Sequence, residues 1–256
     1  MEFLLGLVVA LLLVIAAGGV LAYRKLAAKL LNLKESRTGA LNMHFRQLEA
    51  LGALYYRLRP VIPLPPTRGW AASPDFLLTI ANFVLDRRPS VIVECSSGVS
   101  TLVAARCAQL GGRGHVFSLE HEPEFAAKTR QLLTEHGLSS FATVIDAPLV
   151  ETTFPHWSGK WYDYKKLFMS APIDLLVIDG PPHFCAKRAR YPAVPAFFEK
   201  LAGGAVILLD DADRTDEQAT TRLWLEHYRG LRSLTLPECE KGCKGFIRND
   251  AVAGPL

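Results

Sequence analysis

From residue 90 onward, short apolar runs alternate with helical stretches, and no other feature of the chain restricts its fold as tightly. Val91-Ile92-Val93-Glu94 reads as a buried strand, followed by a helix over residues 99–110. Residues 115–120 form a second strand, followed by a helix over 124–136, and residues 142–145 form a third. A fourth strand spans 173–178. A helix over 191–200 then leads to a fifth at 205–209, and another helix covers 216–228. Apolar runs this short, without polar alternation, suit strands covered on both faces. Their alternation with helices predicts an α/β fold, a doubly wound parallel sheet with helices on both sides. The last two runs, 233–236 and 244–247, have only a turn between them, so they predict a terminal hairpin that brings an antiparallel strand into a seven-stranded sheet. In such sheets ligands bind beyond the carboxyl ends of the strands.

The N-terminus follows a different rule. Phe3 to Tyr23 is a 21-residue run without a charge, and at about 1.5 Å per residue a helix of that length crosses about 30 Å of hydrocarbon. No Lys or Arg precedes the run, whereas Arg24, Lys25 and Lys29 follow it at once. Positive charge resists translocation, which predicts a retained single-pass anchor with the rest of the chain in the cytoplasm. The rival is a cleaved signal peptide, with Val20-Leu21-Ala22 as the cleavage site. The expected organisation is an anchor at 1–23, a basic juxtamembrane helix and Pro-rich linker at 24–68, and a catalytic domain at 69–256. Leu26, Leu30, Leu31 and Leu33 interleave with lysines and suit either anionic headgroups or a solvated spacer. Ser73-Pro74-Asp75 supplies the cap, first-position proline and first-turn acid of a helix running to about Asp86.

The formal net charge of +4 is unevenly spread. Residues 24–68 carry nine basic side chains against Glu35 and Glu49, which leaves 20 basic and 22 acidic side chains in 69–256. The domain is close to neutral, so charge gives no reason to expect a nucleic-acid partner. Of the five cysteines, Cys95 and Cys107 sit in apolar runs as core thiols, while Cys239 and Cys243 flank a Gly-containing turn and can meet across a hairpin. One such pair makes neither a disulfide framework nor a zinc site. Nothing in the sequence fixes an oligomeric state.

Polar residues gather at the predicted strand ends. The segment Val93-Glu94-Cys95-Ser96-Ser97-Gly98-Val99-Ser100-Thr101 turns from strand to helix through small residues, which lets backbone amides approach a ligand. It resembles motif I of the class I S-adenosylmethionine-dependent methyltransferases, with Ser96 where that motif normally has glycine. The resemblance extends over about residues 70–250, includes the closing antiparallel hairpin and implies a Rossmann-like sheet. It implies cofactor contacts from Ser96, Ser97, Gly98, Ser100 and Thr101, with Glu94 acting more indirectly, through the methionine end or by ordering the loop. Glu120 at the end of the second strand would take the ribose hydroxyls, and Asp146 at the end of the third would approach the adenine. A nicotinamide dinucleotide fold fits less well, because a full G-x-G-x-x-G is absent.

Asp179 closes the fourth strand, and Asp210-Asp211 close the fifth. Three carboxylates in one pocket repel one another unless a cation or basic groups compensate. The arrangement is similar to that of cation-dependent O-methyltransferases, which implies Mg²⁺ or a like ion on Asp179, Asp210 and Asp211. The alternative is that Asp210 or Asp211 caps the following helix while Arg188, Arg190 or Arg214 neutralises the others. Asp179, His183 and Lys187 are the candidate catalytic groups. Trp157, Trp161, Tyr162 and Tyr164 fall in a long segment expected to form a lid, an aromatic acceptor wall or plain packing. The expected activity is methyl transfer to a hydroxyl of a small or lipid-linked acceptor. A non-catalytic membrane scaffold and an aminopropyltransferase-like enzyme are the rival readings.

Overall fold

A computed structural model describes residues 1–67 and 69–249. Seven strands form one sheet in the order β3-β2-β1-β6-β7-β9-β8. They are β1 (Val91–Cys95), β2 (His115–Glu120), β3 (Ala142–Asp146), β6 (Ile173–Ile178), β7 (Leu201–Leu209), β8 (Leu231–Leu234) and β9 (Lys244–Arg248). The pairs β1–β2, β2–β3, β1–β6 and β6–β7 are parallel, and β9 runs antiparallel to both β7 and β8. The doubly wound sheet and its closing hairpin are those expected from the spacing of apolar runs. All five positions of β1 are buried, as a central strand covered on both faces requires.

Two apolar layers sandwich the sheet. One contains α2 (Pro74–Arg87), α3 (Val99–Gly111) and α4 (Pro123–Glu135). The other contains α5 (Ala193–Phe197), α6 (Thr215–His227) and an antiparallel hairpin of β4 (Leu149–Phe154) and β5 (Trp157–Tyr162). That hairpin is the segment whose form the sequence left open. Trp157, Trp161 and Tyr162 are buried in the second layer, so its aromatics are mainly packing groups. Cys239 and Cys243 are joined as a disulfide in the loop before β9, with Cα atoms 5.6 Å apart.

The N-terminal helix α1 runs from Glu2 to Leu58. The chain divides into two compact units, Met1–Arg46 and Gln47–Leu256. In the first, none of the described residues in the apolar stretch of the helix is buried. In the second, Gln47, Ala50, Leu54 and Leu58 recur at helical spacing and are buried. Arg106 donates from Nε to the Leu58 carbonyl (3.0 Å) and from Nη2 to the Arg59 carbonyl (3.0 Å), satisfying acceptors at the end of the helix. Asp75, in the first turn of α2, accepts from Gln47 Nε2 (2.6 Å) and from the Glu240 backbone amide (2.7 Å). The compact unit Gln47–Leu256 thus takes in the last turns of α1, which supply part of its core. Leu54→Ala should lower domain stability by about 3 kcal/mol in denaturant unfolding, whereas Leu31→Ala, at an exposed position, should shift it by less than about 0.5 kcal/mol.

Candidate active site

The loop between β1 and α3 is held from behind by a buried acid. Glu94 Oε2 accepts from Thr101 Oγ1 (2.6 Å) and Ser118 Oγ (3.1 Å). The Gly98 amide donates to Thr101 Oγ1 (3.0 Å). Burial outweighs these bonds, with Ser100 as a third donor, and pushes the Glu94 carboxyl from 4.5 up to about 7. Gly98 takes φ 144°, which favours glycine. Ser96 also lies in that region, at φ 124°, and its backbone is pinned by donation from Ser96 N to the Leu119 carbonyl (3.0 Å) and from Ser118 Oγ to the Ser96 carbonyl.

In front of the loop, Glu120 Oε1 accepts from the backbone amides of His121 (2.8 Å) and Glu122 (3.0 Å), and Oε2 accepts from Ser97 Oγ (2.8 Å). Burial works against the charge, yet His121, the Glu122 amide and Ser97 hold the carboxyl below its ordinary value. Glu120 is thus an ionised acceptor at the edge of a cavity of about 290 Å³. Ser96, Ser97, Tyr162, Asp179 and Gly180 line its polar side, and Trp70, Phe125 and Phe184 its apolar side. Gly180 has no room for a side chain, since a Cβ would lie 2.4 Å from Tyr162 Oη and 3.0 Å from Ser96 Cβ.

Beside the cavity, Asp179, Asp210 and Asp211 converge, with one carboxylate oxygen from each lying within 4.8 Å of the others. Arg190, only 3% exposed, reaches all three residues. Its Nη2 donates to Asp211 Oδ2 (2.7 Å), to the Asp179 carbonyl (2.8 Å) and to Asp179 Oδ1 (3.3 Å). Its Nη1 donates to the Asp210 carbonyl (2.7 Å). Arg214 Nη1 adds a second guanidinium on Asp211 Oδ2 at 3.0 Å. Burial lifts the Asp179 carboxyl to about 6 against the pull of Arg190. Burial beside Asp179 and Asp211 pushes Asp210 well above the carboxylate range, and neither Asp210 oxygen has a hydrogen-bond partner among the described residues.

A methyltransferase-domain family model matches residues 93–212, from within β1 to just beyond Asp211. Over these residues the chain is similar to methyltransferase domains. Catechol O-methyltransferase of Mycobacterium tuberculosis is 28% identical over 194 residues, which span 72% of this chain and 80% of that protein. The S-adenosylhomocysteine-bound Podospora anserina methyltransferase PaMTH1 superposes with a TM-score of 0.55 at 18% identity, covering 78% of this chain and 88% of its own. The Streptomyces achromogenes O-methyltransferase TomG, in complex with S-adenosylmethionine, gives 0.51 at 17%, covering 79% and 89%. At these identities the two structures establish the fold alone.

Of the residues predicted for this methyltransferase site, Ser96, Ser97, Glu120 and Asp179 line the cavity. Glu94, Ser100 and Thr101 are buried beneath the loop, where both hydroxyls bond the Glu94 carboxyl. Asp146 does not line the cavity. It is drawn to Arg130 Nη2 at 2.8 Å, with its side chain 60% exposed. Lys187 is also elsewhere, at a separate depression with His156 and Trp157, where its carbonyl accepts from Trp157 Nε1 (2.9 Å). His183 is exposed and packs edge-on against Phe184, 5.7 Å between ring centres. Phe125 and Phe184 were not anticipated as walls. Their one sequence signal is an aromatic residue five positions after a strand-end acid, Glu120 and Asp179 respectively.

Two outcomes follow for the loop. A raised carboxyl favours the folded state while protonated, so the Glu94 contribution is lost as pH rises from 4.5 through about 7. Glu94→Gln should remove up to about 3 kcal/mol of that pH-dependent fall, read as a flatter stability curve between those pH values. Ser96→Gly should raise stability by about 1 kcal/mol in thermal unfolding by relieving the positive φ.

Proposed function

We propose that the chain transfers the methyl group of S-adenosylmethionine to a hydroxyl oxygen of a small acceptor, from a site held at a membrane by residues 3–23. The observation that carries this reading is the ionised Glu120, fixed by Ser97 and two backbone amides, in one cavity with Asp179. S-adenosylmethionine supplies an electrophilic methyl on a sulfonium. The residues suit it: an open glycine loop where an added Cβ at Gly98 would meet nothing within 4 Å, and a carboxylate with room on Oε2 to accept a ribose hydroxyl beside Ser97. Ser97 orients Glu120, Tyr162 closes the floor over Gly180, and the Trp70–Phe184 pair (ring centres 6.1 Å apart) shields the mouth from water. Asp179, with a carboxyl near 6, is ionised at neutral pH and accepts the acceptor's hydroxyl proton as the oxygen attacks. The apolar rings suit an acceptor with an aromatic or lipid portion, in keeping with a relative that acts on catechol. The charge-free run followed by Arg24, Lys25 and Lys29 supports a cytoplasmic domain on a single-pass anchor.

Asp179, Asp210 and Asp211 provide hard oxygens, and the orphaned Asp210 pair would suit Mg²⁺. Asp211 Oδ2, however, already accepts from two guanidiniums, and Arg190 Nη2 also lies on Asp179. A divalent ion would have to displace these guanidiniums from the oxygens it needs, and repulsion of order 8 kcal/mol from a guanidinium about 4 Å away, at an effective dielectric near 20, would offset part of what the carboxylates offer. The residues present therefore do not fit the ion, and no step is assigned to it.

Glu120→Ala in the full chain in detergent should weaken S-adenosylmethionine binding about 10- to 100-fold, the loss of one or two charge-assisted hydrogen bonds. Calorimetry reads it directly. Unchanged affinity would remove Glu120 from the site, and no heat with the unsubstituted chain would leave the scaffold reading in its place.

A further inference from the structure

We infer that Arg190 is a built-in counter-cation: its guanidinium occupies the place among Asp179, Asp210 and Asp211 that a divalent ion would need, and it positions Asp179 without one. The inference rests on the methyl-transfer reading only for the role of Asp179, since the occupancy of the acid cluster is a matter of geometry alone.

The guanidinium is a bridge between neighbouring strand ends. Ile178 of β6 pairs with Leu209 of β7, so Asp179 and Asp210 emerge side by side. Arg190 donates to both of their carbonyls, which fixes the separation of the two chain ends, and in the same plane it reaches the Asp179 and Asp211 carboxylates. A planar fork of five donors can meet two carbonyls and two carboxylates at once, whereas a lysine presents a single point charge. Glu217 Oε1 lies 3.7 Å from Arg190 Nε, so every edge of the group faces an acid or a carbonyl. Arg190 is itself nearly inaccessible, which leaves it no solvent-exposed conformer to retreat to when an ion arrives. Arg190 is thus a positioning residue, acting on the proton acceptor and not on the substrate.

The test is metal uptake, which needs no turnover. Mn²⁺ is titrated into the full chain in detergent, and the free ion is followed by electron paramagnetic resonance. The unsubstituted chain should take up no stoichiometric Mn²⁺ up to ~1 mM, the weak end of oxygen-ligand sites. Arg190→Met should gain one ion per chain, and Arg190→Met with Asp210→Asn should lose it again. One equivalent bound by the unsubstituted chain and lost in Asp210→Asn would overturn the inference. So would failure of a folded Arg190→Met chain to bind any. Should the methionine variant not fold, Arg190→Gln, a neutral planar donor, takes its place under the same criteria. If neither variant folds, uptake by the unsubstituted chain decides. A chain that binds no S-adenosylmethionine yet gives this Mn²⁺ pattern would sink the methyl-transfer reading and leave the arginine assignment standing.

Discussion

One buried guanidinium lets four carboxyl groups share the carboxyl edge of two adjacent strands. The parallel pairing of β6 with β7 brings Asp179 and Asp210 out of the sheet as neighbours, and Asp211 follows at once. Glu217, in the first turn of α6, is buried against the same point. Unpaired, these acids would face both desolvation and mutual repulsion. Arg190 answers the repulsion with its charge and the desolvation with its hydrogen bonds. The imbalance that remains pushes the carboxyls of Asp210 and Glu217 upward through burial, Asp210 the further. Asp179, with the lowest burden of the pair it forms with Asp210, retains a carboxyl near 6 and a face on the cavity. Fold and chemistry meet in that division, because the sheet sets which acids crowd and the arginine sets which of them stays charged.

The β1–α3 loop is handled by a second and separate network. Behind it, Glu94, Thr101 and Ser118 form a closed set of hydrogen bonds that fixes the backbone. In front, Ser97 leans outward to Glu120 and shares its hydroxyl with Thr129 at 3.0 Å. Two acids within one stretch of sheet thus reach opposite states. Glu94 is fully enclosed and leans toward its neutral form, whereas Glu120 collects backbone amides and keeps its charge. Their difference follows from what surrounds each carboxyl, although both stand at the carboxyl end of a parallel strand.

Most of this fold could be read from the chain, because continuous apolar runs mark buried parallel strands and the spacing between them marks helices. The motif around Ser96-Ser97-Gly98, Glu120 and the strand-end aspartates was legible for the same reason: topology places strand ends together whatever the side chains do. What the sequence could not specify was side-chain direction. Asp146 and Glu120 occupy equivalent strand-end positions and pair in register, yet Arg130 captures Asp146 at the surface. Thr101 and Ser100 sit in a ligand-binding motif but spend their hydroxyls on Glu94. Arg190 was only one of three arginines that might have neutralised the aspartates, since 11 residues separate it from Asp179 and only the packed segment before α5 carries it inward.

The same limit explains the N-terminal boundary. Residues 3–23 are apolar on every side of their helix, which suits a solvent with no preferred direction, and none of the described residues in the apolar window is buried. From Gln47 to Leu58 the pattern narrows to one stripe, and that stripe is in a protein core. Gln47 and Leu54 differ in polarity, so a hydropathy scan sees an interrupted run where the helix presents one continuous face. Asp75 makes Gln47 a partner and not an intruder: the carboxylate accepts the Gln47 side chain and the Glu240 amide together, and so ties the end of α1 to the start of α2 and to the loop that leads into β9. A residue that looks like a break in the apolar pattern is one of the bonds that holds the domain's first helix in place.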